Sequence, residues 1–388
     1  MMKRIFPMIM VAFLVFSCDG DGPKPPVGQS GANAKTSAAA TQATVSAFGT
    51  VSSGTGMGKP DGSSDDSGGG LVNRAFERLK GVASLSTPSG KLSKALLANA
   101  SGHTVTPCAF GGDRETTTTG NETSGSVTTV AHQCVFHKNL GIEYFENGTT
   151  TENFSTSSFS FTASDFTKGA RDVTNSSAPI KIREDKTHGT FSVPDVQIAY
   201  CGTKEFWRSA TMSINVTESE YEDEDGDGTA EVDEVATTTN FIAGITEEFN
   251  EATCASIKET FVANGTIAFT DNLVLSGENN FSATLTNFES VTTPTTGGEN
   301  ETLTGTVAVT TNCENGTFDI STVTPLFYPT NAGSDDYCPT AGKILVSGGG
   351  AITAVTFTST GGVKIDEGNN GTIDKTFADC DDADVCKT

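Results

Sequence analysis

Between positions 222 and 234 the chain reads Glu-Asp-Glu-Asp-Gly-Asp-Gly-Thr-Ala-Glu-Val-Asp-Glu, which places eight carboxylates in one short stretch. Asp223, Asp225 and Asp227 alternate, Gly228 and Thr229 follow, and Glu231 and Glu234 close the run. Alternating carboxylates can curl their oxygens around one centre if a glycine takes the tight turn that other residues resist. Without a cation these charges repel one another, and the repulsion is strongest at low ionic strength. Oxygen donors at this density suit a hard divalent cation, and a flexible cage favours calcium over magnesium.

The stretch resembles the EF-hand loop. In that alignment Asp223, Asp225 and Asp227 fill positions 1, 3 and 5, and Gly228 fills the turn. Thr229 offers its carbonyl, Glu231 stands at position 9 and Glu234 at the bidentate position 12. The flanks depart from the pattern, because residues 212–217 and 235–242 are rich in Thr and β-branched side chains where EF-hand helices belong. The expectation is therefore a calcium loop inside a hairpin, in the weak extracellular range of about 10⁻⁴–10⁻³ M. A poorer copy, with Asp366, Asn370 and Asp374 as the weak second metal candidate, has Gly368 at position 3 and Phe377 at position 12. It reads first as an Asn-Gly hairpin.

Other chemistry is thinly supplied. The four histidines are His103, His132, His137 and His188, and no GxSxG, HExxH, Walker or GxGxxG motif occurs. His132, Cys134 and His137 crowd together, but in an unbroken strand His137 points away from the other two. No catalytic residues are assigned. A carboxylate-dependent hydrolase stays open as an alternative, because acids are abundant and burial decides which of them matter.

From His103 onward the pattern has period two. Phe159-Ser-Phe161-Thr, Ile267-Ala-Phe269-Thr, Val307-Ala-Val309-Thr and Val355-Thr-Phe357-Thr alternate apolar with small polar residues. That is the pattern of half-buried antiparallel strands. Asn-Gly-Thr recurs at Asn147, Asn264, Asn315 and Asn370, and Asn-Gly predicts two-residue hairpin turns. The fold expected is mainly β, an antiparallel sandwich or open half-barrel. Eight cysteines remain once Cys18 is set aside. Neighbour pairing predicts disulfides Cys108–Cys134, Cys201–Cys254, Cys313–Cys338 and Cys380–Cys386, each contributing about 2–4 kcal/mol if unstrained.

The N-terminus begins Met-Met-Lys3-Arg4, continues through an apolar run from Ile5 to Phe16 and reaches Ser17-Cys18. This resembles the lipobox signal peptide of bacterial lipoproteins, in which the cysteine is acylated. The run is shorter than the roughly 20 residues that span a bilayer. The organisation expected is a signal peptide over 1–17, a lipidated flexible linker over 18–70, a short helical segment over 71–102 and a β domain over 103–388, with a split near 250 as its alternative. As a coil the linker spans about 40 Å.

The net charge of -24 repels nucleic acid and excludes it as a charge-driven partner. The resemblance implies an extracytoplasmic envelope protein, held by its lipid on the outer membrane or cell surface in preference to the inner membrane. The expected function is a non-enzymatic structural or interaction scaffold with a calcium-binding loop and an unidentified protein partner. A carrier of a lipid or other apolar ligand in an open half-barrel is the alternative.

Overall fold

The computed structural model describes residues 102–378, except 121–123, 156, 176, 202–203, 224, 274–279, 312–314 and 330–338. The signal peptide, the linker, the 71–101 segment, Cys18, Cys313, Cys338, Cys380 and Cys386 lie outside the described residues. Sixteen strands follow one another: β1 Gly102–Pro107, β2 Asp113–Gly120, β3 Gly125–Asn139, β4 Ile142–Phe154, β5 Phe159–Asp172 and β6 Ile180–Cys201. Then come β7 Lys204–Glu222, β8 Val232–Asn250, β9 Ala255–Asp271, β10 Phe281–Thr295 and β11 Gly298–Thr311. The last are β12 Asn315–Pro329, β13 Ala341–Gly348, β14 Ala351–Phe357, β15 Val363–Glu367 and β16 Lys375–Phe377.

Each strand pairs antiparallel with its sequence neighbours, in the order β1 to β16, and the sheet is open. All four period-two segments lie in strands, namely β5, β9, β11 and β14. One cluster of buried residues runs from Phe191 of β6 to Ile365 of β15, with Phe154, Phe161 and Phe377 packed against it. Side chains such as Ala263, Ile344 and Val355 are fully enclosed. No described residue forms a helix, so within the described chain only other strands of the sheet can cover that face.

A line of irregularities crosses the strands and makes the bend. In β8 the buried positions are Ala236, then Phe241, Ala243 and Ile245. They change from even to odd numbers at Asn240, whose φ is 49°. In β10 they change from Ala283 and Leu285 to Phe288 at Asn287, with φ 48°. β5 does the same from Ala163 to Phe166 around Asp165, with φ 49°. Each extra residue is a β-bulge, which adds local bend while the apolar face stays inward. The register shifts lie at these points, between Thr239 and Ile242, Leu285 and Phe288, and Ala163 and Phe166.

The Asn-Gly pairs at 147 and 264 are the mates of these bulges. They lie inside β4 and β9, which corrects their reading as hairpin turns. The Asn287 N–H donates to the Asn264 side-chain oxygen at 2.7 Å, and the Gln133 N–H of the β3 bulge donates to that of Asn147 at 3.2 Å. Each following glycine faces the bulge on the other side. A Cβ on Gly265 would lie 2.4 Å from the Cα of Phe241, and one on Gly148 would lie 2.3 Å from the carbonyl oxygen of Asp165. The asparagine thus satisfies one displaced N–H while the glycine makes room for the other bulge.

Two disulfides tie turns to the sheet. Cys108 and Cys134 are bonded with Cα atoms 5.4 Å apart, and Cys201 and Cys254 with Cα atoms 5.5 Å apart. The second links the end of β6 to the β8–β9 turn. β8 and β9 themselves pair along their length, and both contribute to the buried cluster.

Gly265→Ala should destabilise the sheet by at least about 1–3 kcal/mol, since φ is +133° and backbone blocks the new methyl. Gly102→Ala, which meets nothing within 4 Å, should be near neutral. Urea unfolding of both variants reads the difference, and equal midpoints would contradict the role given to the Asn-Gly pairs.

Candidate metal centre

The β7–β8 connection carries the acidic run. Its base is set by β7 and β8 pairing up to Glu222 and Val232, and by the Glu231 N–H donating to the Glu222 carbonyl at 2.8 Å. The Asp223 N–H donates to the Ile182 carbonyl of β6 at 2.7 Å, which stitches the loop to a third strand. Asp223 is fully buried. Its two carboxylate oxygens accept the N–H groups of Gly226 at 2.8 Å and Gly228 at 2.9 Å. Both glycines have positive φ, 72° and 91°, which lets those N–H groups turn inward. Asp225 accepts from Asp227 N–H at 3.0 Å, and Asp227 accepts from Thr229 N–H at 2.7 Å.

These bonds gather three carboxylates. Asp223, Asp225 and Asp227 each place an oxygen within 4.8 Å of the others, close enough to share one metal ion. Asp223 forms the buried floor, and Asp225 and Asp227 are exposed. Of the six predicted ligands, the geometry gathers these three side chains.

Glu231 is exposed, and Glu234 lies in β8 with Glu220 and Asp271 as its cross-strand Cα partners. Neither joins the group of three. The reason is the strand. A helix advances about 1.5 Å per residue and brings position 12 back to the ion. β8 starts at Val232 and advances about 3.3 Å per residue, so it carries Glu234 into the sheet. Glu234 thus stands in the sheet, apart from the three gathered aspartates.

The surrounding field is strongly negative. The Tyr221 hydroxyl is held above the usual tyrosine range, first by loss of water and then by Asp223, Asp233, Glu231 and Asp227. Arg183 of β6 offsets part of this charge, with guanidinium nitrogens 3.3 Å from Glu220 and 3.1 Å from Glu222. Lys181 lies over the Tyr221 ring at 3.4 Å. A divalent cation among the three aspartates adds a charge of the sign the loop lacks.

The second candidate keeps the backbone design without the ligands. Asp366 is buried and accepts the N–H groups of Asn370 at 2.9 Å and Gly371 at 2.8 Å, and the Asn370 side chain accepts from Thr372 at 2.8 Å. Asp374 accepts the Glu367 N–H at 2.7 Å. These three side chains close the β15–β16 turn through hydrogen bonds to its backbone. Following the alternation of strand directions, this turn lies at the same end of the sheet as the acidic loop. At the histidine cluster Cys134 is committed to its disulfide, His132 lies 3.9 Å from Glu115, and His137 packs on Tyr144. Neither protein-family models nor curated proteins match the chain.

Asp225→Asn and Asp227→Asn keep an acceptor for the turn and remove charge. Each should weaken calcium binding at least tenfold by calorimetry while raising the melting temperature of the metal-free protein slightly. Glu234→Gln should leave affinity within about twofold, since Glu234 stands apart from the group. A loss at Glu234 as large as at Asp225 would restore the full EF-hand ligand set.

Proposed function

We propose that this chain is a lipid-anchored, extracytoplasmic protein of the bacterial cell envelope. In this reading it is a non-enzymatic scaffold whose open β-sheet is stiffened by calcium at the β7–β8 loop. The observation that carries the reading is the convergence of the Asp223, Asp225 and Asp227 carboxylates on a floor already hydrogen-bonded to the loop backbone. Preorganisation of that kind lowers the entropy cost of binding, and hard oxygen donors in a flexible loop suit calcium. The two disulfides fit an oxidising compartment. The run from Lys3 to Cys18 supplies the envelope address and the acylation site. The scaffold would present its sheet to a protein partner, held off the membrane by the linker.

Calcium at ten times its dissociation constant should stabilise the folded protein by about 1.4 kcal/mol, by binding the native state alone. Thermal melts with calcium and with chelator read this as a rise in midpoint. That rise disappears in Asp223→Ala, which is less stable than wild type even in chelator because two N–H groups lose their acceptor. Mass spectrometry of the mature protein should find an acylated Cys18 at its N-terminus. A free N-terminus elsewhere would remove the lipid anchor from the reading, and an unchanged melting temperature would remove the calcium.

A further inference from the structure

At the opposite end of the strands from the acidic loop, four glutamates meet on the inward face. Glu247 of β8 and Glu259 of β9 are direct cross-strand Cα partners. Glu259 is opposite Thr292 of β10, and Thr292 is opposite Glu301 of β11. Glu299, two residues before Glu301, shares its face and is opposite Tyr328 of β12. The row lies one step from the apolar cluster, since Ile245, Phe261 and Leu303 are the next inward residues on the same three strands. Leu326, also buried, is opposite Glu301.

Glu301 is only 5% exposed. Its Oε1 accepts the Ser290 hydroxyl at 2.6 Å, and Tyr328 also hydrogen-bonds the carboxyl. Its buried Oε2 has no partner. The charges that raise the Glu259 carboxyl are the negative ones of Glu247, Glu299 and Glu301. The lysine next in sequence, Lys258, lies on the other face and pairs with Glu248 at 3.4 Å. A shared metal ion does not fit, because among the described residues only Asp223, Asp225 and Asp227 gather oxygens at that spacing.

We propose that Glu259 and Glu301, with Glu247 and Glu299 beside them, form a proton-operated latch, which holds the β8–β11 end of the sheet together while Glu259 and Glu301 are protonated and loosens it when their protons leave. Like charges directly opposite across strands are destabilising, and a buried carboxylate with an unpartnered oxygen is costly. A proton removes the repulsion and the buried charge. Accordingly, loss of water and the three neighbouring glutamates push the Glu259 carboxyl up to about 8. Burial raises that of Glu301, against its hydrogen bonds from Ser290 and Tyr328, with Glu299 adding to the rise.

The direction follows from linkage. The folded state holds protons that the unfolded chain has already released above the ordinary glutamate range. Stability from these groups is therefore complete below that range and is lost as pH rises towards about 8. Loosening of this end uncovers Ile245, Phe261, Leu303 and Leu326, so the opened state displays an apolar surface.

The test is a set of thermal melts of the full chain from about pH 5 to about pH 9, with calcium chelated throughout. The wild-type midpoint should fall across this range. The Glu259→Gln/Glu301→Gln double variant should flatten the fall and melt higher than wild type at the alkaline end. Glu152, whose carboxyl is also raised by burial, is common to both proteins and cancels in the difference. Should the double variant fail to fold, carbon-13 NMR of glutamate carboxyls in wild type and in Glu247→Gln decides. A resonance titrating well above the ordinary range, moved to lower pH in Glu247→Gln, supports the latch. Parallel pH profiles in the melts, or wild-type glutamates other than Glu152 all titrating in the ordinary range, would overturn it.

Discussion

The structure depends on keeping one apolar face inward along long strands that must also bend. Side chains alternate with period two, so a strand that bends by taking in one extra residue would turn its remaining hydrophobes outward unless the sequence changes phase at that point. β5, β8 and β10 change phase at Asp165, Asn240 and Asn287; β4, between β3 and β5, and β9, between β8 and β10, carry glycine and an asparagine acceptor. Bulge and glycine kink together curve an antiparallel sheet. That curvature lets residues from β6 to β15 share one buried cluster without a helix among the described strands.

The candidate metal centre sits where this regular architecture stops. The β7–β8 loop leaves the ladder at Glu222 and rejoins it at Val232, and between those points its N–H groups bond to Asp223, Asp225 and Asp227. Because the loop opens directly into a strand, Glu234 lies in β8, apart from the three aspartates. The loop is bonded at Glu222 of β7 and, through Ile182, to β6, so in the proposed reading an ion at Asp223 would act on three strands.

Much of this was legible in the chain. The alternation in Phe159–Thr162 and Ile267–Thr270 specified strands because period two leaves little else to form. The two observed disulfides pair sequence neighbours because a meander keeps sequence neighbours adjacent in space. The gathering of Asp223, Asp225 and Asp227 was legible because the three lie within one local loop. Two features were not. Asn264-Gly265 reads as a turn in isolation, and only the bulges in β8 and β10 show that the pair serves them. Glu259 and Glu301 share the inward parity of Phe261 and Leu303 on their own strands, but their gathering with Glu247 and Glu299 depends on the register from β8 to β11. Both are properties of pairing across strands, which local sequence does not carry.

The most direct test of the central claim is amide hydrogen exchange on the full chain with and without calcium. If the ion stiffens the sheet through the loop, protection should rise in the loop and in the paired ends of β6, β7 and β8, around 180–186 and 216–238, and change little around 247–301. Exchange that is unchanged by calcium, or slowed only within 223–231, would contradict a metal-stiffened scaffold.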